Sequence, residues 1–414
     1  MTNSNTFVIV GAALAGVSAA EELRKQGFDG RIVMFGREAR HPYIRPPLSK
    51  DFLAGKEEAD KAFVHPESWY EENSIELELG AEVTSINRNE HTVTVRGEQV
   101  DTEPISYTKL LIATGSTPRQ LQVPGATIPG VHYLRSLTDA TALRAELRDG
   151  GKAVAIIGSG WIGMEVAATA RELGNDVRVI LNSEIPLTKA IGGELGQFFA
   201  DVQAEHGVIF DRSTTVEEIV PTDDGVVGGV RVGERSVLAA DLVVVAIGAA
   251  PTVELAVAAG LEVDNGILVD AALRTSDPDI FAAGDVANAF HPTIGARIRS
   301  EHWANALNQG PAAARAMLGQ DVSYDEIPYA YSDQFEIGME FSGYLPLIGD
   351  ATLAYRGDPA KREFIAFWML GGRVVAGMNV NVWDVNEDVQ GIIRRGNIVD
   401  VAALADPDVP LKSL

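Results

Sequence analysis

None of the 414 residues is cysteine. That single absence excludes disulfides, thiolate metal sites, self-ligated iron–sulfur clusters and redox-active dithiols, so any electron chemistry must reside in a bound cofactor. It also fits a reducing cytoplasm. Positive charge is scarce: 34 Lys and Arg stand against 58 Asp and Glu, a formal net charge of −24. A nucleic-acid binder needs the opposite balance to neutralise phosphates, so that class falls away. No long uninterrupted apolar span is present, and no membrane crossing is expected. The apolar stretch from Phe7 to Ala20 lacks a basic leader and is punctuated by glycine, so it reads as a strand and helix of the mature fold. The 46% hydrophobic and 22% charged composition is that of a folded protein, and the length implies two to three domains.

Against these absences stands one duplicated pattern. Thr6-Phe-Val-Ile-Val10, then Gly11-Ala-Ala-Leu-Ala-Gly16, then an Ala-rich run and a second strand from Gly30 to Phe35 reads as strand, tight turn, helix, strand. The same order recurs at Ala153 to Ile157, Gly158-Ser-Gly160-Trp-Ile-Gly163, a helix from Met164 to Leu173 and a strand from Asp176 to Leu181. Each is the βαβ opening of a doubly wound α/β sheet. Glycines at such a turn let the backbone approach a pyrophosphate, and the helix N-terminus offers it unpaired amides and a positive dipole end. Gly11 and Gly16 hold the outer positions of the first turn with Ala13 between them; Gly158, Gly160 and Gly163 complete the second. Two such turns imply two dinucleotide sites, FAD at the first and NAD(P)H at the second. Further apolar strands end in Ala113-Thr114-Gly115, in Gly248 and in Gly284-Asp285, and a helix is expected from Glu301 to Met317. After about Asp325 the pattern changes to that of an α+β tail, with a hairpin from Glu363-Leu370 through Gly371-Gly372 to Arg373-Asn379.

Over nearly its whole length the chain resembles the ferredoxin reductase branch of the FAD-dependent pyridine nucleotide oxidoreductases, which includes putidaredoxin, rubredoxin and aromatic-dioxygenase ferredoxin reductases. The resemblance is carried by Arg45-Pro46-Pro47-Leu48-Ser49-Lys50, Ala113-Thr114-Gly115, Thr275 to Asp285, Glu301-His302-Trp303-Ala304-Asn305-Ala306 and Ser332-Asp333-Gln334. It implies two Rossmann-like three-layer dinucleotide-binding domains of the glutathione-reductase-like kind plus an α+β C-terminal domain. Residues 1–114 and 246–325 would form the FAD domain, 115–245 the NAD(P)H domain and 326–414 the tail domain.

By the same resemblance Lys50 lies beside flavin N5 and pairs with Glu165, and these two are the catalytic candidates. Asp285, after Gly284, would bind the ribityl chain. FAD would further meet Gly11, Ala13, Leu14, Ala15, Gly16, Arg45, Pro46, Ala113, Thr114, Gly115, Arg119, Arg135 and Gly248, with Val83 at the adenine. Glu301, His302, Trp303, Ala306 and Tyr331 would approach the flavin. Gly158, Gly160, Trp161, Ile162, Gly163, Glu165 and Asn182 would receive the nicotinamide coenzyme. No metal site is expected.

Three positions depart from the family's pattern. Arg37 stands where an acid usually follows the second strand, which shifts the ribose contact to Glu38. Leu181-Asn182-Ser183 replaces the glutamate of NADH-specific relatives, with Ile185 in place of a common arginine and Lys189 the nearest cation. Tyr331 replaces a tryptophan before Ser-Asp-Gln. The implied activity is hydride transfer from NADH, favoured over NADPH, to FAD, and then single electrons to a [2Fe–2S] ferredoxin serving a cytochrome P450 or a Rieske-type oxygenase. Arg297, Arg299, Arg315, Lys361, Arg362 and Arg373 are candidates for a ferredoxin patch. Two alternatives stay open: another acceptor (rubredoxin, quinone or a nitrite system), and a non-catalytic FAD-stabilised interaction protein. The oligomeric expectation is a monomer or homodimer.

Overall fold

Val8, Ile9 and Val10 have no polar face, and a strand of this kind is stable only when covered on both sides. A computed structural model describes residues 5–97, 103–233 and 236–414. In it Thr6–Val10 is the centre of a five-stranded parallel sheet, buried along its whole length. The order across that sheet is Ile280–Ala282, Lys109–Ile112, Thr6–Val10, Arg31–Gly36, Ile75–Leu79. The chain reverses direction of travel on either side of Thr6–Val10, and such a reversal opens a crevice at the carboxyl ends of the strands. The sheet belongs to a first unit, Met1–Arg45, Asp60–Thr117 and Ala249–Glu326. Helix Leu14–Lys25 packs there against helix Trp303–Met317 at the closest approach backbone allows: a Cβ on Gly310 would fall 2.4 Å from the Ala15 carbonyl oxygen. The unit also holds a small antiparallel sheet of Glu82–Asn87, Thr92–Arg96 and Ile105–Ser106.

The second unit, Pro46–Ala59, Pro118–Gly248 and Ile327–Leu414, repeats this design. Its parallel sheet runs Ile209–Asp211, Asp176–Ile180, Ala153–Ile157, Leu242–Val245, Val131–Tyr133, again with the strand before the glycine turn at the centre. A three-stranded antiparallel sheet, Val216–Pro221, Val227–Val232 and Ser236–Ala239, is the counterpart of the one in the first unit. The tail forms a five-stranded antiparallel sheet in the order Tyr329–Gln334, Ile337–Gly343, Arg373–Val380, Glu363–Leu370, Thr352–Asp358. Gly371 and Gly372, with φ of 58° and 78°, make the two-residue turn of the expected hairpin. This sheet shares a core with the helices beside it, where Met164, Leu195 and Phe199 meet Ile337, Met339, Phe364 and Trp368. Each fully buried side chain of this size stabilises the fold by about 1.5–3 kcal/mol over exposure.

Two helix starts and one whole helix differ from expectation for local reasons. The helix expected from Met164 begins at Trp161, because Gly160 in an extended conformation already serves as its N-cap. The helix expected from Glu301 begins at Trp303, with His302 as N-cap. Helix Thr188–Glu205 was not anticipated; Gly192, Gly193 and Gly196 depress its helix propensity, and the chain kinks at Gly192 (φ 82°, ψ 170°). Among the described residues no helix is long and apolar enough to cross a membrane.

Candidate functional site

The two glycine turns are built alike, atom for atom. In the first, the Gly11 amide bonds to the Phe35 carbonyl at 2.9 Å; in the second, the Gly158 amide bonds to the Ile180 carbonyl at 2.9 Å. Both glycines have positive φ, 120° and 108°. A Cβ on Gly11 would lie 2.1 Å from the Ala113 carbonyl oxygen, and one on Gly158 would lie 2.3 Å from that of Ala246. Gly16 and Gly163 hold each helix against its own turn, where a Cβ would lie 2.2 Å from the Gly11 oxygen and 2.3 Å from the Gly158 oxygen. Neither helix has a side-chain cap, so the first amides of Leu14–Lys25 and Trp161–Glu172 are left to an external acceptor. A Cβ on Gly160 would meet no atom within 4 Å, so the space in front of the second turn is open for a phosphate.

Around the first turn the expected residues converge. Gly284 (φ 81°) faces Ala15 and Ala306, with a Cβ there 3.1 and 3.8 Å from their methyls. Asp285 is buried and accepts from Ser116 Oγ at 2.8 Å, and the Gly284 amide is fixed by Gln309 Oε1 at 2.9 Å. Thr114 Oγ1 bonds to the Thr252 carbonyl at 2.8 Å, and Thr252 N–H returns a bond to Gly115 at 2.9 Å. At the end of the second strand Arg37 is exposed, whereas the Glu38 carboxylate accepts from Tyr43 Oη at 2.5 Å and Arg45 Nη2 at 2.9 Å. The Gly80 and Ala81 amides bond to Glu38 and Gly36, bringing Val83 to the same edge. Trp303 Nε1 is buried and, among the described residues, has no hydrogen-bond partner. Uncapped amides, a carboxylate at a strand end and an orphaned indole N–H fit the phosphates, sugar hydroxyls and ring acceptors of a dinucleotide.

Lys50 and Glu165 meet in the second unit. Lys50 Nζ lies 2.9 Å from Glu165 Oε2, with side-chain exposures of 12% and 3%. Two hydroxyls join them: Ser49 Oγ donates to Glu165 Oε2 at 2.6 Å and Ser332 Oγ to Glu165 Oε1 at 2.7 Å. Three donors on one buried carboxylate are what makes burying this pair tolerable. Thr169 Oγ1 fastens the Ser49 carbonyl at 2.9 Å, so the segment carrying Lys50 is tied to the helix carrying Glu165. Lys50 Nζ also sits 5.2 Å from the centre of the Tyr331 ring. Burial pushes the Tyr331 phenol up to about 12, with Asp333 and Glu165 adding to the effect, so this ring stays neutral at physiological pH.

Not every expected residue joins a cluster. Pro46, Arg119, Arg135 and Gly248 belong to the second unit, where the Arg119 amide bonds to the Gly248 carbonyl at 2.9 Å. Ile162 and Asn182 are exposed, Ile162 on the helix that follows the second turn and Asn182 just past the strand beside it. Of the six cations proposed for a patch, Arg299, Arg315 and Arg362 bond to Glu301, Glu22 and the pair Glu205 and Glu336. Arg297 is spent on the Val269 and Asn288 carbonyls. Ser116, Gln309 and Gln203 were missed altogether. For Gln203 a signal existed: it falls on the apolar stripe of its helix with Leu195, Phe199 and Val202, and is itself fully buried.

Two copies of one nucleotide-binding design, one of them beginning the helix that holds a buried lysine–glutamate pair, define a two-nucleotide redox scaffold. The chain belongs to the pyridine nucleotide-disulphide oxidoreductase family, whose model matches residues 5–310, while a Reductase C-terminal model matches residues 329–414. Having no cysteine, it carries no redox disulphide. It is 41% identical to the ferredoxin–NAD(+) reductase component of the anthranilate 1,2-dioxygenase system of Burkholderia cepacia, over 99% of each chain. Its structure matches the ferredoxin reductase for the CYP199A2 system of Rhodopseudomonas palustris with a TM-score of 0.93, at 33% identity over 99% of both chains. It matches the reductase of a covalent putidaredoxin reductase–putidaredoxin complex with the same TM-score, 0.93, at 35% identity, covering 99% of this chain and 97% of that one.

Proposed function

We propose that the protein is an FAD-dependent NAD(P)H:ferredoxin reductase that takes hydride from NADH in preference to NADPH. Its single-electron acceptor would be a [2Fe–2S] ferredoxin that serves a cytochrome P450 or a Rieske-type oxygenase, in the cytoplasm. The observation that carries this reading is the recurrence of one uncapped glycine turn in two parallel sheets, together with a buried Lys50–Glu165 pair. Residues 1–114 and 246–325 hold FAD, 115–245 hold the coenzyme and 326–414 form the tail domain.

The flavin, when bound, supplies the chemistry, because it accepts two electrons together and releases them one at a time. The protein's part is position and field. The amides at Leu14–Gly16 and the Gly11 turn receive the FAD pyrophosphate, Asp285 fixed by Ser116 takes ribityl hydroxyls, and Glu38 and Val83 take the adenosine end. Gly158, Gly160 and Gly163 would receive the coenzyme pyrophosphate, and Asn182 would meet its adenosine ribose. Lys50, held by Glu165, would offer a fixed ammonium to flavin N5, stabilising negative charge there. No general acid or nucleophile is needed.

The test is anaerobic mixing of the yellow protein with each coenzyme, followed by oxidised ferredoxin. Bleaching of the flavin by NADH, slower bleaching by NADPH and recovery of colour on adding ferredoxin are expected. A protein that keeps its flavin yet is bleached by neither coenzyme overturns the reading.

A further inference from the structure

Behind the Lys50–Glu165 pair runs a chain of hydrogen bonds that ends at Gln203, on helix Thr188–Glu205. Gln203 Nε2 donates to the Met164 carbonyl and to Gln334 Oε1, both at 2.9 Å. Gln334 Nε2 donates to Ser332 Oγ at 3.2 Å, and Ser332 Oγ donates to Glu165 Oε1 at 2.7 Å. The direction of this chain is fixed by its far end. The Met164 backbone carbonyl can only accept, so the Gln203 amide must turn its nitrogen toward it, and that nitrogen then requires the oxygen of Gln334. Gln334 must therefore offer its own nitrogen to Ser332. The hydroxyl, with a lone pair occupied there, sends its single proton to Glu165.

Gln203 is fully buried, and its Oε1 has no hydrogen-bond partner among the described residues. Phe199 and Val202 lie on the same buried stripe of the helix. An apolar side chain would avoid the cost of that unsatisfied oxygen. A glutamine at this position is explained by what its amide nitrogen orients.

We propose that Gln203 is a positioning residue for the redox reaction: it sets the sense of the Gln334–Ser332 relay so that Ser332 donates to Glu165, and thereby fixes Lys50. The proposal rests on the function proposed above for Lys50. Gln203 touches neither nucleotide and acts only through Glu165. Losing the donor at Oε1 leaves Glu165 free to swing about its bonds to Ser49 and Lys50, and the ammonium is then no longer held in one place.

The experiment compares Gln203→Met, Gln203→Glu, Ser332→Ala and the Gln203→Met/Ser332→Ala double variant in the full-length flavin-loaded protein. Two quantities are read: the limiting rate of flavin reduction with its coenzyme dissociation constant, and the rate at which Lys50 is acetylated by an amine reagent, mapped by peptide mass spectrometry. Each single variant should lower the limiting rate about tenfold with the dissociation constant changed less than twofold, and should speed Lys50 acetylation relative to the exposed lysines. The double variant should be no worse than Ser332→Ala alone, because both act through one hydroxyl. Wild-type rates in Gln203→Met, effects that add in the double variant, or Gln203 variants that lose fold or flavin where Ser332→Ala does not, each overturn the proposal. Acetylation needs no coenzyme, so a wild-type protein that no coenzyme reduces defeats the proposed function while the relay is still judged on its own.

Discussion

The two glycine turns share the same backbone hydrogen bond and the same close approaches but differ in what surrounds them. At the first, the middle position is Ala13, and the neighbouring edge is dense with fixed polar groups: Glu38 between Tyr43 and Arg45, Asp285 on Ser116, Gln309 on Gly284. At the second, the middle position is Gly160 with open space before it, and the strand alongside ends in Leu181 and an exposed Asn182. On the proposed function, the first would keep a nucleotide and the second would let one go. The difference in grip that this resident cofactor and exchanging substrate need would then lie in the middle position of each turn and in the flanking side chains.

The sharpest way to break the comparison is to fill each turn in its own right. Gly11→Val and Gly158→Val each place a branched side chain at positive φ within about 2 Å of a carbonyl oxygen, a cost above roughly 4 kcal/mol. The first variant should be isolated colourless and the second yellow but unreduced by NADH; absorbance and stopped-flow reduction read the two outcomes. Next in size is Glu165→Ala, which strands the Lys50 ammonium in a buried setting. A loss of about 3–5 kcal/mol in stability is expected in chemical denaturation, and it should be felt by the second unit.

Acid should weaken both units, through one histidine in each. Burial holds the His291 imidazole in the first unit below its ordinary value, against the Glu326 carbonyl and the Asp325 charge, and burial does the same to His132 in the second, against Glu146. The unfolded chain binds these protons more readily than the folded one. Their contribution is therefore present above about pH 6.5 and is lost as the pH falls toward the folded values. Thermal melts across that window should flatten in His291→Gln and His132→Gln, and an unchanged slope in both would remove the assignment. The smallest effect is expected from Asn182→Glu, which places at the second site the acid it lacks. The ratio of NADH to NADPH efficiency should rise about tenfold by repulsion of the 2′-phosphate.

Much of the fold was legible because both βαβ openings combine an apolar strand with glycines at fixed offsets, a local pattern that tertiary context seldom overrides. The tail hairpin was legible for the same reason, through Gly371-Gly372. Helix Thr188–Glu205 was not, because its three glycines argue against a helix that tertiary packing of Leu195 and Phe199 then stabilises. The Lys50–Glu165 pair came from resemblance alone; no spacing rule joins residues so far apart. Ser116 and Gln309 could not be read as site residues, since a serine or glutamine acquires meaning only from the neighbour it orients; Gln203 left only the trace of a polar residue on an apolar stripe, which says it is buried and not what it orients.

The segment Pro46–Ala59 leaves the first unit's run of chain, supplies Ser49 and Lys50 to the second, and returns. Ser49 and Glu165 are 116 positions apart along the backbone. The pair therefore exists only where two distant stretches of chain are both in place, the segment carrying Lys50 and the helix carrying Glu165. A fragment spanning 118–414 would contain the glutamate without its counter-ion. The consequence is that this reductase scaffold cannot be cut between its nucleotide modules and rejoined in a new order without first transplanting fourteen residues of threaded chain, Pro46–Ala59, along with the second.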